Sequence, residues 1–325
     1  MSPVTWPPAA PELSAQVLHY DQLHRLGKHS WWRSLLGLVV VGLGVFVLAS
    51  IVLMLPFGLW MVATGQDLAD GFTRLLDVTN PTPATLAYIN LTLVSAIPLV
   101  WFATRVLHGL RIGWASSVFG RLRWRYLVAC LGVSCVALAA TLAVGALLPV
   151  EDPTGIGTTL NAFTSTTRDF LLVVVLLTPF QAAAEEYLFR GYLLQGVGGL
   201  VNARAFSVVG SAVLFALAHG LGQSWPVFID RLAFGLVAGA LVVLTGGLEA
   251  AIAMHVLNNV VAFGIALAFG DMAAALNPSE GTWWSLATTL TQSLVYLALA
   301  VLVARWMGLA ATVAAPVLEP VQRGV

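Results

Sequence analysis

The feature that most constrains this chain is a long stretch without a charged side chain. No Asp, Glu, Lys or Arg occurs between Arg33 and Asp67, and a helix of about 20 residues already crosses the roughly 30 Å hydrocarbon core of a bilayer. The stretch is too long for the apolar region of a signal peptide, and too much polar sequence precedes it. We therefore expect a membrane protein that keeps this helix in its mature form.

Further apolar windows predict an all-α fold, a polytopic membrane helix bundle of about eight transmembrane helices. Hydrophobic residues make up 59% of the sequence and charged residues only 9%, which excludes a soluble globular protein. The predicted spans lie near 34–62, 84–106, 126–148, 169–196, 205–222, 226–245, 248–270 and 283–306.

The basic residues predict the orientation of this bundle, because cytoplasmic loops retain an excess of Lys and Arg. With eight spans and the N-terminus inside, only Arg74, Arg168 and Arg231 lie outside. The inner set is Arg25, Lys28, Arg33, Arg105, Arg111, Arg121, Arg123, Arg125, Arg190, Arg204, Arg305 and Arg323. Both termini are thus predicted to be cytoplasmic, and Asp230 and Arg231 to form an interfacial pair at the outer mouth of the sixth span.

Two short segments outside the spans receive non-catalytic interpretations. The piece around Leu18 to Leu26 is interpreted as a solvated lead-in to the first helix. The loop at 105–125 alternates arginines with Trp114 and Trp124, a composition that suits lipid headgroups and the interfacial aromatic belt. We interpret this loop as a determinant of topology.

Charge and cysteine content exclude several classes of function. The formal net charge is zero, so no basic field attracts nucleic acid. Cys130 and Cys135 lie in one apolar stretch and point to different faces of a helix, which excludes a disulfide framework and a cysteine zinc site. The sequence also contains neither HExxH nor GxSxG.

Three motifs place strongly polar side chains inside predicted spans, where each costs a few kcal/mol unless it has a partner or a function. The fourth span contains Glu185-Glu186 followed by Arg190. The fifth contains Phe215 and His219, and the seventh contains His255 and Asn259. No other predicted span carries such groups at comparable density.

Helix geometry assigns these residues to faces, since positions i and i+4 lie together while neighbours diverge by about 100°. Glu186 can pair with Arg190, which leaves Glu185 free for chemistry. His255 and Asn259 share one face. Taken singly, the ion pair is more often structural, Asn259 could join two helices, and Phe215 is core packing.

Two chemistries are open if the three faces converge. Glu185, His219 and His255 match the ligand set of a catalytic zinc with an open position for water. Without a metal, Glu185 and His219 would hold and deprotonate a water, while His255 and Asn259 would donate to the oxyanion. Either version attacks a carbonyl group.

At these residues the sequence resembles the CPBP family of intramembrane proteases, which includes the Ras-converting type of CAAX prenyl endopeptidases and bacterial relatives tied to bacteriocin processing or lysostaphin resistance. The family patterns EExxxR, FxxxH and HxxxN fall on Glu185, Glu186 and Arg190, on Phe215 and His219, and on His255 and Asn259. The resemblance implies an intramembrane endopeptidase in which Glu185 and His219 activate water, His255 and Asn259 face them across the scissile carbonyl, and Glu186 and Arg190 hold the geometry.

The resemblance covers 168–265 and gives a domain organisation. A cytoplasmic N-terminal tail at 1–33 and N-terminal transmembrane helices at 34–165 precede this catalytic core, and 266–325 contains the last transmembrane helix and a short tail. Our span boundaries put His219 nearer the outer half than Glu185 and His255. We therefore expect 204–210 to be a loop or re-entrant piece.

Two other classes of function are consistent with intramembrane polar residues. In an ion- or proton-coupled transporter they would form a path across the membrane. In a catalytically silent, bacteriocin-immunity-like protein the helices would act only as a scaffold. The clustering of polar groups in three motifs, and the intact motifs, favour the protease.

The expected surroundings are membrane lipid and a peptide or protein substrate, which for this family includes prenylated CAAX tails. Lys28 is the sole lysine beside many arginines, which suggests a GC-rich genome and hence a bacterial plasma membrane. Gly and Ala in the spans can pack helices within one chain or between two, so the sequence leaves the oligomeric state open.

Overall fold

The computed structural model describes residues 15–147, 159–201, 203–276 and 281–316. The start of the predicted N-terminal tail and Arg323 of the predicted inner set lie outside these ranges. Within them the chain is a helix bundle with one small sheet. The helices are α1 Trp31–Ala63, α2 Leu68–Leu76, α3 Pro83–Val106, α4 Trp124–Gly145, α5 Ser165–Leu200, α6 Arg204–Ala218, α7 Trp225–Thr245, α8 Glu249–Phe269, α9 Met272–Leu276 and α10 Trp283–Trp306.

Seven of these helices are long and apolar enough to cross a membrane, namely α1, α3, α4, α5, α7, α8 and α10. Their outer faces carry exposed large apolar side chains such as Leu35, Leu59 and Leu142, as expected where a helix faces lipid. Two of the helices contain a π-helical turn, Gly44–Ala49 in α1 and Tyr187–Leu193 in α5. The chain is thus a polytopic all-α membrane protein.

The fifth predicted span is shorter than the sequence suggested. Helix α6 has 15 residues, about 22 Å at 1.5 Å per residue, which falls short of the roughly 30 Å apolar core. The expectation of a loop at 204–210 is wrong, because these residues form the first turns of α6. Glu185 precedes the end of α5 by as many residues as His219 follows the start of α6.

Both described ends of the chain lie on one side of the bundle. Strand β1, Ala15–His19, pairs antiparallel with strand β2, Thr312–Pro316. On the same side Lys28 donates its backbone N–H to His108 O at 2.9 Å, and the Arg33 guanidinium donates to Leu107 O at 2.7 Å. The location of both termini on the cytoplasmic side stays a prediction.

The segment that follows β1 is not a solvated lead-in. Tyr20–Leu26 forms a 3-10 helix, and its Tyr20 and Leu23 side chains are fully buried. Tyr20 donates its hydroxyl to Ala115 O at 2.6 Å, and the Arg25 guanidinium donates to Gly199 O at 3.2 Å. The segment therefore links the 105–125 loop to the end of α5. Its apolar side chains are buried against protein, which is why it is not solvated.

A buried ion pair joins the start of α4 to the start of α8. The Arg123 guanidinium donates to both carboxylate oxygens of Glu249, at 3.0 and 2.6 Å, and to Thr245 O at 2.9 Å. Both side chains are almost completely excluded from solvent. Within the loop assigned to lipid headgroups, Arg121 and Arg125 are exposed, whereas Arg123 fixes the packing of helices.

Breaking this pair should destabilise the bundle. Glu249→Gln leaves the Arg123 charge buried without a counter-ion, which typically costs about 3–5 kcal/mol. We expect the thermal unfolding midpoint of the detergent-solubilised protein to fall by several degrees. Asp169→Asn is the matched control, because it breaks the exposed pair between Arg168 and Asp169, whose contribution is at most about 1 kcal/mol. Equal shifts for the two variants would contradict this assignment.

Candidate active site

A cavity of about 690 Å³ lies inside the bundle and collects residues from all three sequence motifs. Its wall is built by α1, α3 and α5 to α10. The polar and charged residues that line it are Ser50, Asn90, Thr92, Gln181, Glu185, His219, Asp230, Arg231, His255, Asn258, Asn259 and Thr289. The sequence-predicted Glu185, His219, His255 and Asn259 are thus brought to one place, together with Phe215.

Glu186 and Arg190 stand behind this wall and are completely buried. The predicted ion pair is present, with Arg190 Nη1 at 2.8 Å from Glu186 Oε1. Arg190 also donates to Gly235 O on α7 at 3.3 Å, and its guanidinium lies 4.4 Å from the centre of the Phe215 ring. Phe215 therefore packs in the core and also covers a buried cation.

The same Glu186 oxygen orients His255. His255 Nδ1 lies 2.8 Å from Glu186 Oε1, so this nitrogen carries the proton that the carboxylate accepts. The opposite ring nitrogen, Nε2, is 3.6 Å from Glu185 Oε2. His255 thus sits between the two adjacent carboxylates, and one of them, Glu186, serves both Arg190 and His255.

Glu185 has one engaged and one free oxygen. The Gln181 side-chain amide donates to Oε1, whereas Oε2 is buried and has no hydrogen-bond partner in the described part of the chain. A buried carboxylate oxygen without a partner is costly unless a water or a ligand satisfies it. Oε2 is therefore suited to accept a hydrogen bond from a molecule in the cavity.

Gln181 was not identified from the sequence, yet it links two motifs. It lies one turn before Glu185, and its carbonyl oxygen accepts a hydrogen bond from Asn259 Nδ2 at 3.0 Å. Asn259 keeps a second amide hydrogen that this bond does not use. The available signal was a glutamine at i−4 from Glu185, on the same face of an otherwise apolar helix.

His219 directly follows α6, where the helix ends. Its Nδ1 is 2.8 Å from the carbonyl oxygen of Phe215, an acceptor, so Nδ1 carries the proton in the neutral ring. The unprotonated nitrogen is then Nε2, which can accept a proton. Gly220 follows with φ of 112°, a conformation that favours glycine and turns the chain away from the helix.

Asp230 and Arg231 differ from the sequence interpretation. They form no ion pair with each other, and both line the cavity instead of pairing at an interface. Thr289 on α10 lines the same cavity. Consecutive positions on a helix diverge by about 100°, which explains why these two side chains separate.

The described residues contain no group of three or more His, Cys, Asp or Glu side chains arranged to hold a metal ion. The proposed zinc ligands Glu185, His219 and His255 share the cavity but do not form such a group. Participation of zinc stays a prediction. Cys130 is buried and Cys135 exposed, and both are free, as expected for two faces of one helix.

Comparisons with known proteins point to the same part of the chain. The model of the family described as "Type II CAAX prenyl endopeptidase Rce1-like" matches residues 167–261. The uncharacterized protein YyaK of Bacillus subtilis (strain 168) is 34% identical over 95 residues, which cover 27% of this chain.

The aligned segment spans only 31% of YyaK, about a third of that protein's length. No solved structure matches the chain. The family match contains all three motifs and confirms the resemblance found in the sequence. Residues 167–261 are therefore similar to the Rce1-like type II CAAX prenyl endopeptidases.

Proposed function

We propose that this chain is an intramembrane endopeptidase that hydrolyses a peptide bond inside the cavity. The observation that carries the proposal is the meeting of Glu185, His219, His255 and Asn259 at one cavity in an apolar bundle. The family match over residues 167–261 supports the same reaction class. Polar groups gathered at a single cavity favour hydrolysis over a transport path, which needs polar groups at several depths.

The reaction begins with a water between Glu185 Oε2 and His219 Nε2. Both acceptors hold the water by hydrogen bonds, Glu185 takes one of its protons, and the water oxygen attacks the carbonyl carbon of the peptide bond as the carbonyl π electrons move to the oxygen. The resulting tetrahedral oxyanion accepts hydrogen bonds from Nε2 of His255, which is doubly protonated in this step because Nδ1 donates to Glu186, and from the second amide hydrogen of Asn259. Glu185 then gives the proton to the leaving nitrogen, and the carbon–nitrogen bond breaks.

Glu186, Arg190 and Gln181 position this group and do not touch the substrate. Glu186 holds His255 through Nδ1 and is itself fixed by Arg190. Gln181 fixes Glu185 on one side and Asn259 on the other. Such an arrangement keeps donors in place before charge develops, so that little reorganisation is needed during the reaction.

We place this activity near the cytoplasmic side of a bacterial plasma membrane, following the distribution of basic residues and the preference for arginine. The substrate is a peptide or protein that enters from the lipid or from the cytoplasmic face. A prenylated carboxyl-terminal tail is the specific substrate type that the family resemblance suggests. Comparison of membrane proteomes from wild-type and Glu185→Ala cells would identify the precursor that accumulates.

Removing either member of the water-holding pair should stop cleavage. We expect Glu185→Ala and His219→Ala each to lower kcat at least about a hundredfold, because each removes an acceptor that holds the water. Purified variants in detergent are assayed on the accumulating precursor, and unfolding midpoints verify that they fold. His29→Ala is the control, since His29 does not line the cavity. Normal cleavage by both folded variants would contradict the mechanism.

Gln181 provides a separate test of positioning. Gln181→Ala removes the link between Glu185 and Asn259, and we expect kcat to fall about ten- to a hundredfold with little change in KM. A merely structural role would lower the unfolding midpoint without this selective loss of kcat. Gln195→Ala is a matched control, because Gln195 is a buried glutamine of the same helix that donates to Trp114 O, away from the cavity.

We further propose that these side chains act without a metal ion. In the described part of the chain, the side chains of Glu185, His219 and His255 are not grouped closely enough to hold a metal ion together. We expect cleavage at an unchanged rate after dialysis against EDTA, and zinc content well below one ion per chain by elemental analysis. Stoichiometric zinc whose removal stops cleavage would replace this version with the zinc hydrolase.

A further inference from the structure

Arg231 is the cation of the cavity that has no assigned role. It is partly buried on α7 and lines the same wall as Glu185 and His219. No hydrogen bond or ion pair joins its guanidinium to any oxygen of the described residues. A guanidinium has five N–H donors, so this side chain offers substantial binding capacity to a molecule in the cavity.

The other two arginines inside the bundle show what Arg231 lacks. Arg123 is held by both oxygens of Glu249, and Arg190 is held by Glu186. Each of these buried cations has a carboxylate of the protein within hydrogen-bond distance. Arg231 has no such carboxylate. An unpaired charge in apolar surroundings is costly, so a carboxylate on a bound molecule would stabilise Arg231.

The two nearby acidic residues do not form an ion pair with Arg231. Asp230 and Glu185 act on Arg231 electrostatically, but neither lies within ion-pairing distance. Glu185 Oε1 already accepts a hydrogen bond from Gln181. These two carboxylates also influence the choice of ligand, because they repel a doubly charged phosphate more strongly than a singly charged carboxylate.

We propose that Arg231 binds a carboxylate of the peptide substrate and thereby determines where along the peptide the cleaved bond lies. The planar guanidinium matches a carboxylate with two parallel hydrogen bonds, which fixes orientation as well as distance. The carboxylate belongs either to the chain terminus or to an Asp or Glu side chain. This inference rests on the proposed function and names the chemical feature that the site recognises.

Binding can be tested without cleavage. Wild-type protein in detergent is titrated with N-acetyl-Ala-Leu as the free acid and as the carboxamide, and with N-acetyl-Ala-Glu-carboxamide and inorganic phosphate. We expect a rise in the unfolding midpoint with at least one of the two carboxylate peptides and none with N-acetyl-Ala-Leu-carboxamide. Arg231→Gln should lose the rise, whereas the exposed control Arg168→Gln should keep it.

The response to the two carboxylate peptides separates the chain terminus from an acidic side chain as the bound group. A rise with phosphate alone would overturn the proposal in favour of an oxyanion of another kind. A carboxylate response that Arg231→Gln leaves intact would also overturn it, because some other cation would then be responsible.

Cleavage gives an independent second arm. A synthetic peptide library is prepared with free carboxyl termini or carboxamide termini, with and without internal Asp and Glu, and cleavage is read by mass spectrometry. We expect wild type to prefer peptides with the relevant carboxylate at least tenfold in kcat/KM, and Arg231→Gln to reduce this preference to about one. Unchanged preference in Arg231→Gln would refute the assignment while leaving the protease intact.

No cleavage of any peptide by wild type would instead count against the proposed function. The binding titration still decides the role of Arg231 in that case, so failure of this inference and failure of the protease proposal give different results.

Discussion

A charge placed within an apolar bundle is costly unless another group neutralises it, and this requirement determines how the site is built. Glu186 meets this requirement with two partners, because its carboxylate accepts hydrogen bonds from Arg190 and from His255. Because the two partners come from α5 and α8, one carboxylate fixes both helices around the cavity. Glu185 is thereby left with an oxygen for chemistry. The geometry of the reacting groups thus depends on the Glu186 carboxylate, which does not contact the substrate.

Much of this arrangement follows from the sequence because intramembrane polar residues are rare and helical spacing is regular. Helical spacing predicted that Glu186 can pair with Arg190, and the family resemblance implied that Glu185, His219, His255 and Asn259 meet at one site. Gln181 and the Arg123–Glu249 pair were not predicted. Both depend on which helices become neighbours, and a residue such as Glu249 at a helix start gives no sign of its partner more than a hundred residues away.

Hydropathy also overestimated the length of the fifth span. An apolar window predicts a span of full length, but it does not show where a helix ends within the bilayer. Helix α6 ends at Ala218, so His219 lies where the backbone leaves the helix and where Gly220 can turn it. The end of this helix therefore places His219 at the cavity that Glu185 also lines.

The pairing of β1 with β2 has a consequence for how the molecule is assembled. Residues 15–19 are synthesised before all the described helices, whereas their partner strand at 312–316 is synthesised after them. Strand β1 therefore has no hydrogen-bonding partner while the described helices between the two strands are inserted. Completion of this edge is hence a late event of biogenesis, and a nascent chain that stalls before its last helix would hold an unpaired strand available to chaperones or to quality-control proteases.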